Sequence, residues 1–204
     1  MKISVIMASY LGVYENCASD RVNKFHRAIN SFINQDFQKA DIELIISSDG
    51  CEITDRLYYE FYSEIDNIKI IKNEKQLIYS GKIRQFGVNL AKGEVLCFLD
   101  TDDVIGKSHL TNISIGIKNS DWCYWDDYIS SSHGLIIRPT ILEYGCCGTS
   151  TIAYKKKLQT TWEGCDGYGH DFTFIQKLLT ISQNYNKIYD CQYYCHHVPN
   201  YIDL

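Results

Sequence analysis

The chain has 204 residues, 45% of them hydrophobic and 22% charged, and a formal net charge of −5. That size suits one domain with a sizeable core, and the acidic balance, with no basic stripe, excludes a nucleic-acid backbone as an expected partner. No apolar stretch reaches membrane-spanning length, and residues 1–7 run straight into a strand pattern without a signal-peptide layout. A cytoplasmic setting is therefore expected, with peripheral membrane association left open. Nine cysteines without a CxxC pair are read as reduced thiols.

The first half alternates strand and helix. Residues 3–8 read as a strand and 19–35 as an amphipathic helix capped at Ser19 or Asp20. Strands follow at 42–47 and 68–72, with a helix at 53–65 between them. Residues 80–91 repeat apolar positions at helical spacing and close on Lys92-Gly93, and a buried strand covers 95–99. Successive βα units imply an α/β fold, a mostly parallel sheet with helices on both faces. The second half reads as a smaller antiparallel portion. Strands are expected at 122–129 and 135–138 around the turn 130–134, then at 149–154 and 188–194, with a helix at 171–181.

The strongest local signal is Phe98-Leu99-Asp100-Thr101-Asp102-Asp103, three carboxylates in four positions at the end of an apolar run. Ligands of open α/β sheets sit beyond the carboxyl ends of the strands. Packed carboxylates repel unless a proton or cation intervenes, and Mg²⁺ or Mn²⁺ accepts oxygen ligands and bridges to phosphate. The competing reading is a turn with an Asp N-cap ahead of residues 104–110. Tyr10 follows the first strand and offers an aromatic face to a planar base, or packs its own loop. Asp49, in Ser47-Ser48-Asp49-Gly50-Cys51, can accept from a base N–H, although Asp-Gly also makes a good turn. Arg84, in Gly81-Lys82-Ile83-Arg84, can reach a diphosphate, or it belongs to a solvated helix face.

All four features fall at one edge of the expected sheet. With Val5 to Tyr10, Ser48-Asp49-Gly50-Cys51, Arg84 to Val88, Ala91-Lys92-Gly93-Glu94 and the Asp cluster, the chain resembles the family 2 glycosyltransferases of GT-A fold. The likeness is strong over the first half and looser over the second. Ser48 and Cys51 depart from the family's Asp-Asp-Gly-Ser-like turn. The resemblance implies one domain over 1–204, with a nucleotide-sugar half at 1–103 and an acceptor and catalytic half at 104–204. It implies donor contacts from Ala8, Ser9, Tyr10, Asp49, Arg84, Asp100, Thr101 and Asp102, with Tyr10 and Asp49 at the base and Arg84 near the base or diphosphate. A Mn²⁺ or Mg²⁺ ion would be held by Asp102, unless it contacts the ribose, and by Asp103, unless it meets a diphosphate-bound water, with His197 (or His196, one residue off) completing the shell.

In the second half, Trp162 to Asp171 is a Gly-rich loop running into a helix. Asp171 matches the family's catalytic base, which deprotonates a hydroxyl of a glycan or other acceptor, and His170 stands where Glu is common. Trp162, Tyr168 and His170 are the expected acceptor contacts; the two aromatics have packing as their other reading. The implied activity is metal-dependent sugar transfer from a nucleoside diphosphate sugar, UDP-linked by preference, in glycan biosynthesis, with inversion as the expected outcome and retention as the alternative that the fold also supports. Alternatives are a non-catalytic nucleotide- or sugar-binding module and the catalytic part of a larger assembly. A nucleotidyltransferase is disfavoured because residues 8–14 lack a basic phosphate loop. Cys191, Cys195, His196 and His197 also form a small cluster with structural-zinc chemistry.

Overall fold

The computed structural model describes residues 1–77, 79, 81–131, 134–190 and 192–197. Alternation of side chains builds the first strand, β1 (Ile3–Ser9): Val5 and Met7 enter one core and Ile6 another. β2 (Ile42–Asp49) repeats this, sending Leu44 and Ile46 one way and Ile45 the other. Strands buried on both faces read as unbroken apolar runs, which places these two at the centre of the sheet. With β3 (Ile68–Asn73) and β4 (Val95–Phe98) they run parallel in the order β3-β2-β1-β4.

α1 (Arg21–Ile33) buries Phe25, Ala28, Ile29 and Phe32, at helical spacing, in the first core. α2 (Glu52–Phe61) covers the same face through Leu57 and Tyr58. α3 (Gly81–Leu90) adds Val88 to the second core. Gly87 permits its close approach, because a Cβ there would lie 2.7 Å from Ile6 Cγ2.

The second half supplies β5 (Val104–Ile105), α4 (His109–Gly116), β6 (Trp122–Trp125), β7 (Asp127–Ser131), β8 (Gly134–Arg138) and β9 (Ile152–Lys155). After these come α5 (His170–Ile181), β10 (Tyr185–Ile188) and β11 (Tyr193–Cys195). β9 joins β4 antiparallel, giving a seven-stranded mixed sheet ordered β10-β6-β9-β4-β1-β2-β3. A second sheet, β5-β11-β7-β8, carries the chain back towards the Asp cluster. The α/β architecture expected from the sequence is present, with its antiparallel portion in the second half.

Several boundaries differ from expectation. The run 122–129 is two strands in two sheets. It breaks at Asp126, whose Oδ1 accepts the Thr140 N–H at 2.7 Å and pairs with Lys187 at 2.8 Å. The run 188–194 likewise divides between β10 and β11, and Thr149–Thr151 is a 3-10 turn ahead of β9. The segment after the Asp cluster forms its helix, α4, later than residues 104–110, and its Leu110 and Ile113 reach the first core. The expected helix start at Ser80, the turn residues Ser132 and His133, Cys191, and Val198 to Asn200 of the last motif lie outside the described residues. Among the described residues every cysteine is a free thiol, and no helix is long and apolar enough to cross a membrane.

Candidate active site

Parallel strands deliver their last residues to one edge. Tyr10 directly follows β1, Asp49 ends β2, Lys75 stands two residues past β3, and Asp100 two past β4. These side chains line a cavity of about 390 Å³ together with Ala8, Ser9, Arg84, Thr101, Asp102, His170, Asp171 and His197. A second cavity, about 620 Å³, shares Asp100, Asp102, His170, Asp171 and His197 with the first. The expected donor residues, the expected base and two of the three expected metal ligands, Asp102 and His197, are thus brought to a common wall.

At the β2 end, Asp49 Oδ2 receives the Lys75 ammonium at 2.6 Å and Oδ1 the Gln76 N–H at 2.6 Å. Lys75 Nζ lies 4.3 Å from the centroid of the Tyr10 ring. The carboxylate and the aromatic face expected to hold a base are therefore adjacent. The Ser9 hydroxyl pairs with Thr54 Oγ1 at 2.8 Å in the buried interior, so its side chain is already engaged.

In the middle of the cavity, Arg84 Nη2 donates to Asp100 Oδ1 at 3.3 Å, and the guanidinium lies over Trp162 at 5.4 Å. Asp102 Oδ2 meets His197 Nδ1 at 2.8 Å. That contact raises the His197 pKa against the opposing effect of burial. Asp103 behaves differently. It is only 4% exposed, and its oxygens accept the Tyr193 hydroxyl at 2.9 Å and the His196 N–H at 2.8 Å. Asp103 thereby ties the turn after β4 to β11, the strand that presents His197. The N-cap alternative for the cluster is not what forms, since α4 begins after Ser108.

Burial pushes the Asp100 carboxyl up, Arg84 opposes this, and Asp102 and Asp171 add to it. Burial, followed by Asp102 and Asp100, pushes Asp103 well above the carboxylate range. The group is short of positive charge, and Asp102 with His197 offers an oxygen and a nitrogen ligand side by side on the cavity wall. That donor set fits a hard or borderline divalent ion that completes its shell with phosphate oxygens and water. No group of three or more His, Cys, Asp or Glu side chains converges as a complete metal site among the described residues.

At the far end, Asp171 opens α5 and belongs to both cavities. Its Oδ1 accepts the Thr149 hydroxyl and lies 3.0 Å from His170 Nε2. Burial pushes the Asp171 carboxyl up, but the hydrogen bond from His170, the Arg84 charge and the Thr149 hydroxyl outweigh it and hold it below the ordinary range. His170 is oriented by the Gly167 carbonyl oxygen, 3.0 Å from Nδ1, and Arg84 Nη1 stands 3.1 Å from Nε2.

One acceptor expectation is corrected. Trp162 is 0% exposed, stacked on Phe174 at 3.9 Å and edge-on to Phe98 at 5.3 Å, so it is core and presents no face to a sugar. His170 is largely buried and in contact with Gly167, Arg84 and Asp171, yet it lines both cavities. Tyr168 is 77% exposed beside Tyr79 and Tyr144 and remains available to a ligand.

Sequence reasoning missed Lys75, Thr149 and Tyr79. Lys75 had a readable signal, because β3 ends at the same sheet edge as β1, β2 and β4. Tyr79 has φ +57 and stacks on His170 at 6.1 Å, a contact without a local sequence mark.

The glycosyl transferase family 2 model matches residues 16–115. The architecture is that of GT-A glycosyltransferase structures, and the family likeness covers just under half of the chain. Among curated relatives, the chain is 24% identical to poly(ribitol-phosphate) beta-N-acetylglucosaminyltransferase TarP of Staphylococcus aureus, over 95% of this chain and 62% of that protein. It is 31% identical to the uncharacterized glycosyltransferase MG060 of Mycoplasma genitalium, over 54% of this chain and 35% of that protein. Among solved structures, S. aureus TarS 1–349 in complex with UDP-GlcNAc superposes with a TM-score of 0.75 at 22% identity, covering 96% of this chain and 58% of that one. The mannosyltransferase PcManGT of Pyrobaculum calidifontis, in complex with GDP-Man and Mn²⁺, gives 0.69 at 12% identity, covering 98% and 57%. The chain spans about three fifths of the length of TarP.

Proposed function

We propose that this domain transfers a sugar from a UDP-sugar to a hydroxyl acceptor, with a divalent cation and with inversion at the anomeric carbon. The observation that carries this is the set of groups gathered on one cavity: Tyr10 and Asp49 joined by Lys75, Arg84 paired with Asp100, Asp102 with His197, and Asp171, which also lines the second cavity. Tyr10 stacks the base and Asp49 accepts its N–H. Ala8, Ser9 and Thr101 shape the ribose end, and Arg84 faces the diphosphate with its charge held in place by Asp100. Residues 1–103 supply most of this donor wall, while 104–204 supply the second cavity, where Tyr168 meets the acceptor.

Asp102 and His197 would hold Mn²⁺ or Mg²⁺, with Asp103 fixing the turn that carries Asp102; the ion would offset negative charge on the departing nucleoside diphosphate. Asp171 takes the proton from the acceptor hydroxyl. Its lowered pKa makes it a weak base that acts through placement, ionised at any physiological pH. His170 and Thr149 fix the carboxylate so that the hydroxyl is directed at the sugar from the side opposite the diphosphate, which is the geometry of inversion. TarS bound to UDP-GlcNAc and the TarP name support UDP-GlcNAc as the donor to test first.

The test is UDP release from UDP-GlcNAc with Mn²⁺ across hydroxyl acceptors. Transfer should stop with EDTA. It should fall by roughly 10²–10⁴-fold in Asp171→Asn while UDP affinity holds, the range expected for losing a general base. Binding of UDP without turnover of any donor would instead favour a non-catalytic module, and full activity of Asp171→Asn would remove the base assignment.

A further inference from the structure

Asp49 is not an isolated acceptor. Its carboxylate is paired at 2.6 Å with the Lys75 ammonium, whose side chain retains 39% exposure and which stands 4.3 Å over the Tyr10 ring. The pairing is built into the backbone. Gln76 donates its N–H to Asp49 Oδ1, and Gly50 has φ +59 and leaves no room for a Cβ, which would lie 2.7 Å from the Lys75 nitrogen. Lys75 also donates to the Gln76 carbonyl oxygen at 2.8 Å. The cleft therefore offers a ligand a fixed acceptor with a tethered donor beside it.

We propose that Lys75 is a specificity-determining residue that selects uracil as the donor base, by reading the 4-carbonyl next to the N3–H that Asp49 accepts. This inference rests on the reading of the Tyr10–Asp49 cleft as the base site. An ammonium is a donor only, and a carboxylate is an acceptor only. Uracil satisfies both, with N–H at position 3 and carbonyl at position 4. Cytosine reverses both positions: a bare N3 lone pair faces the carboxylate, and an amino group points its N–H at the ammonium. Two mismatched polar contacts in a half-buried cleft discriminate far more than a change of shape. A base stacked on Tyr10 takes the place of the ammonium, which lies 4.3 Å from that ring's centroid. The four-carbon stem lets Nζ slide to the base edge while the ion pair with Asp49 persists.

The experiment is calorimetric Kd measurement for UDP and CDP, with Mn²⁺ present, on the wild type, Lys75→Met and Lys75→Arg. The wild type should prefer UDP by at least about tenfold, and Lys75→Met should weaken UDP by about tenfold and CDP by less than about twofold, the loss expected for one charge-assisted hydrogen bond. Lys75→Arg, which keeps a donor, should retain the preference. An unchanged UDP/CDP ratio in Lys75→Met, equal weakening of both nucleotides, or tighter UDP binding would overturn the assignment; the last would mean that the ammonium merely blocks the Tyr10 face. If the wild type bound neither nucleotide, the base-site reading itself would fall and this inference with it. A wild type that binds UDP beside a Lys75→Met variant of unchanged ratio removes this inference alone.

Discussion

His170 Nε2 stands 3.0 Å from Asp171 Oδ1 at the first turn of α5, and this contact helps to hold the Asp171 carboxyl below its ordinary pKa. The proposed base must be ionised to act, so its lowered pKa keeps transfer running into mildly acidic solution. Removing the imidazole leaves burial less opposed, and the pKa rises. In His170→Ala the acid limb of the kcat/KM profile should therefore move to higher pH, with transfer at neutral pH reduced by misplacement of the carboxylate. A pH–rate series on wild type and variant reads this directly. An acid limb that does not move would separate His170 from the chemistry.

Trp162 and Tyr168 were both read as acceptor aromatics, and the structure divides them. Trp162→Ala removes a fully buried ring stacked between Phe174 and the Arg84 guanidinium. It should cost about 3–5 kcal/mol of folding stability, the range for large aromatic truncations in cores. Tyr168→Ala, on an exposed ring, should leave the melting curve within about 0.5 kcal/mol and raise the acceptor KM instead. Chemical denaturation of both variants distinguishes the two roles, and comparable destabilisation by each would contradict the division.

His109 is 1% exposed, lies edge-on to Trp125 at 5.1 Å, and among the described residues neither ring nitrogen has a hydrogen-bond partner. Burial pushes its pKa down from 6.5 to about 3. The unfolded chain takes up a proton near pH 6.5, whereas the folded chain does so only near pH 3. The stability attached to the neutral ring is complete above pH 6.5 and is lost as pH falls through that window. Between pH 7 and pH 5 this amounts to about 2 kcal/mol. His109→Phe, similar in shape and without the ionisation, should flatten that part of the pH–stability curve. Urea melts at both pH values measure it, and an equal slope in wild type and variant would contradict it.

The parallel half of the fold was legible because β1 and β2 are buried on both faces and end in Tyr10 and Asp49, so periodicity and punctuation agree. The Asp100, Asp102 and Asp103 cluster was legible for the same reason. What was not legible depends on partners distant in the chain. The break at Asp126 is set by Thr140 and Lys187. The burial of Trp162 is decided by Phe98 and Phe174, and nothing in its immediate neighbours distinguishes a stacked indole from an open one. Asp103 has the same residue type as Asp102, but Tyr193 and His196 draw it inward. Lys75 was marked only by the end of β3 at the shared sheet edge, and its pairing with Asp49 and Tyr10 comes from the fold.

The account turns on whether Asp102, beside His197, lets a cation join this domain to a nucleoside diphosphate. Titrating UDP into the protein calorimetrically, with Mn²⁺ and then with EDTA, tests that most directly. Saturable binding with Mn²⁺ that weakens at least about tenfold in EDTA and in Asp102→Asn is the expected result, since each tenfold loss corresponds to about 1.4 kcal/mol of lost contact. Binding of UDP that is indifferent to chelator and to Asp102→Asn, or no binding at all, would contradict it.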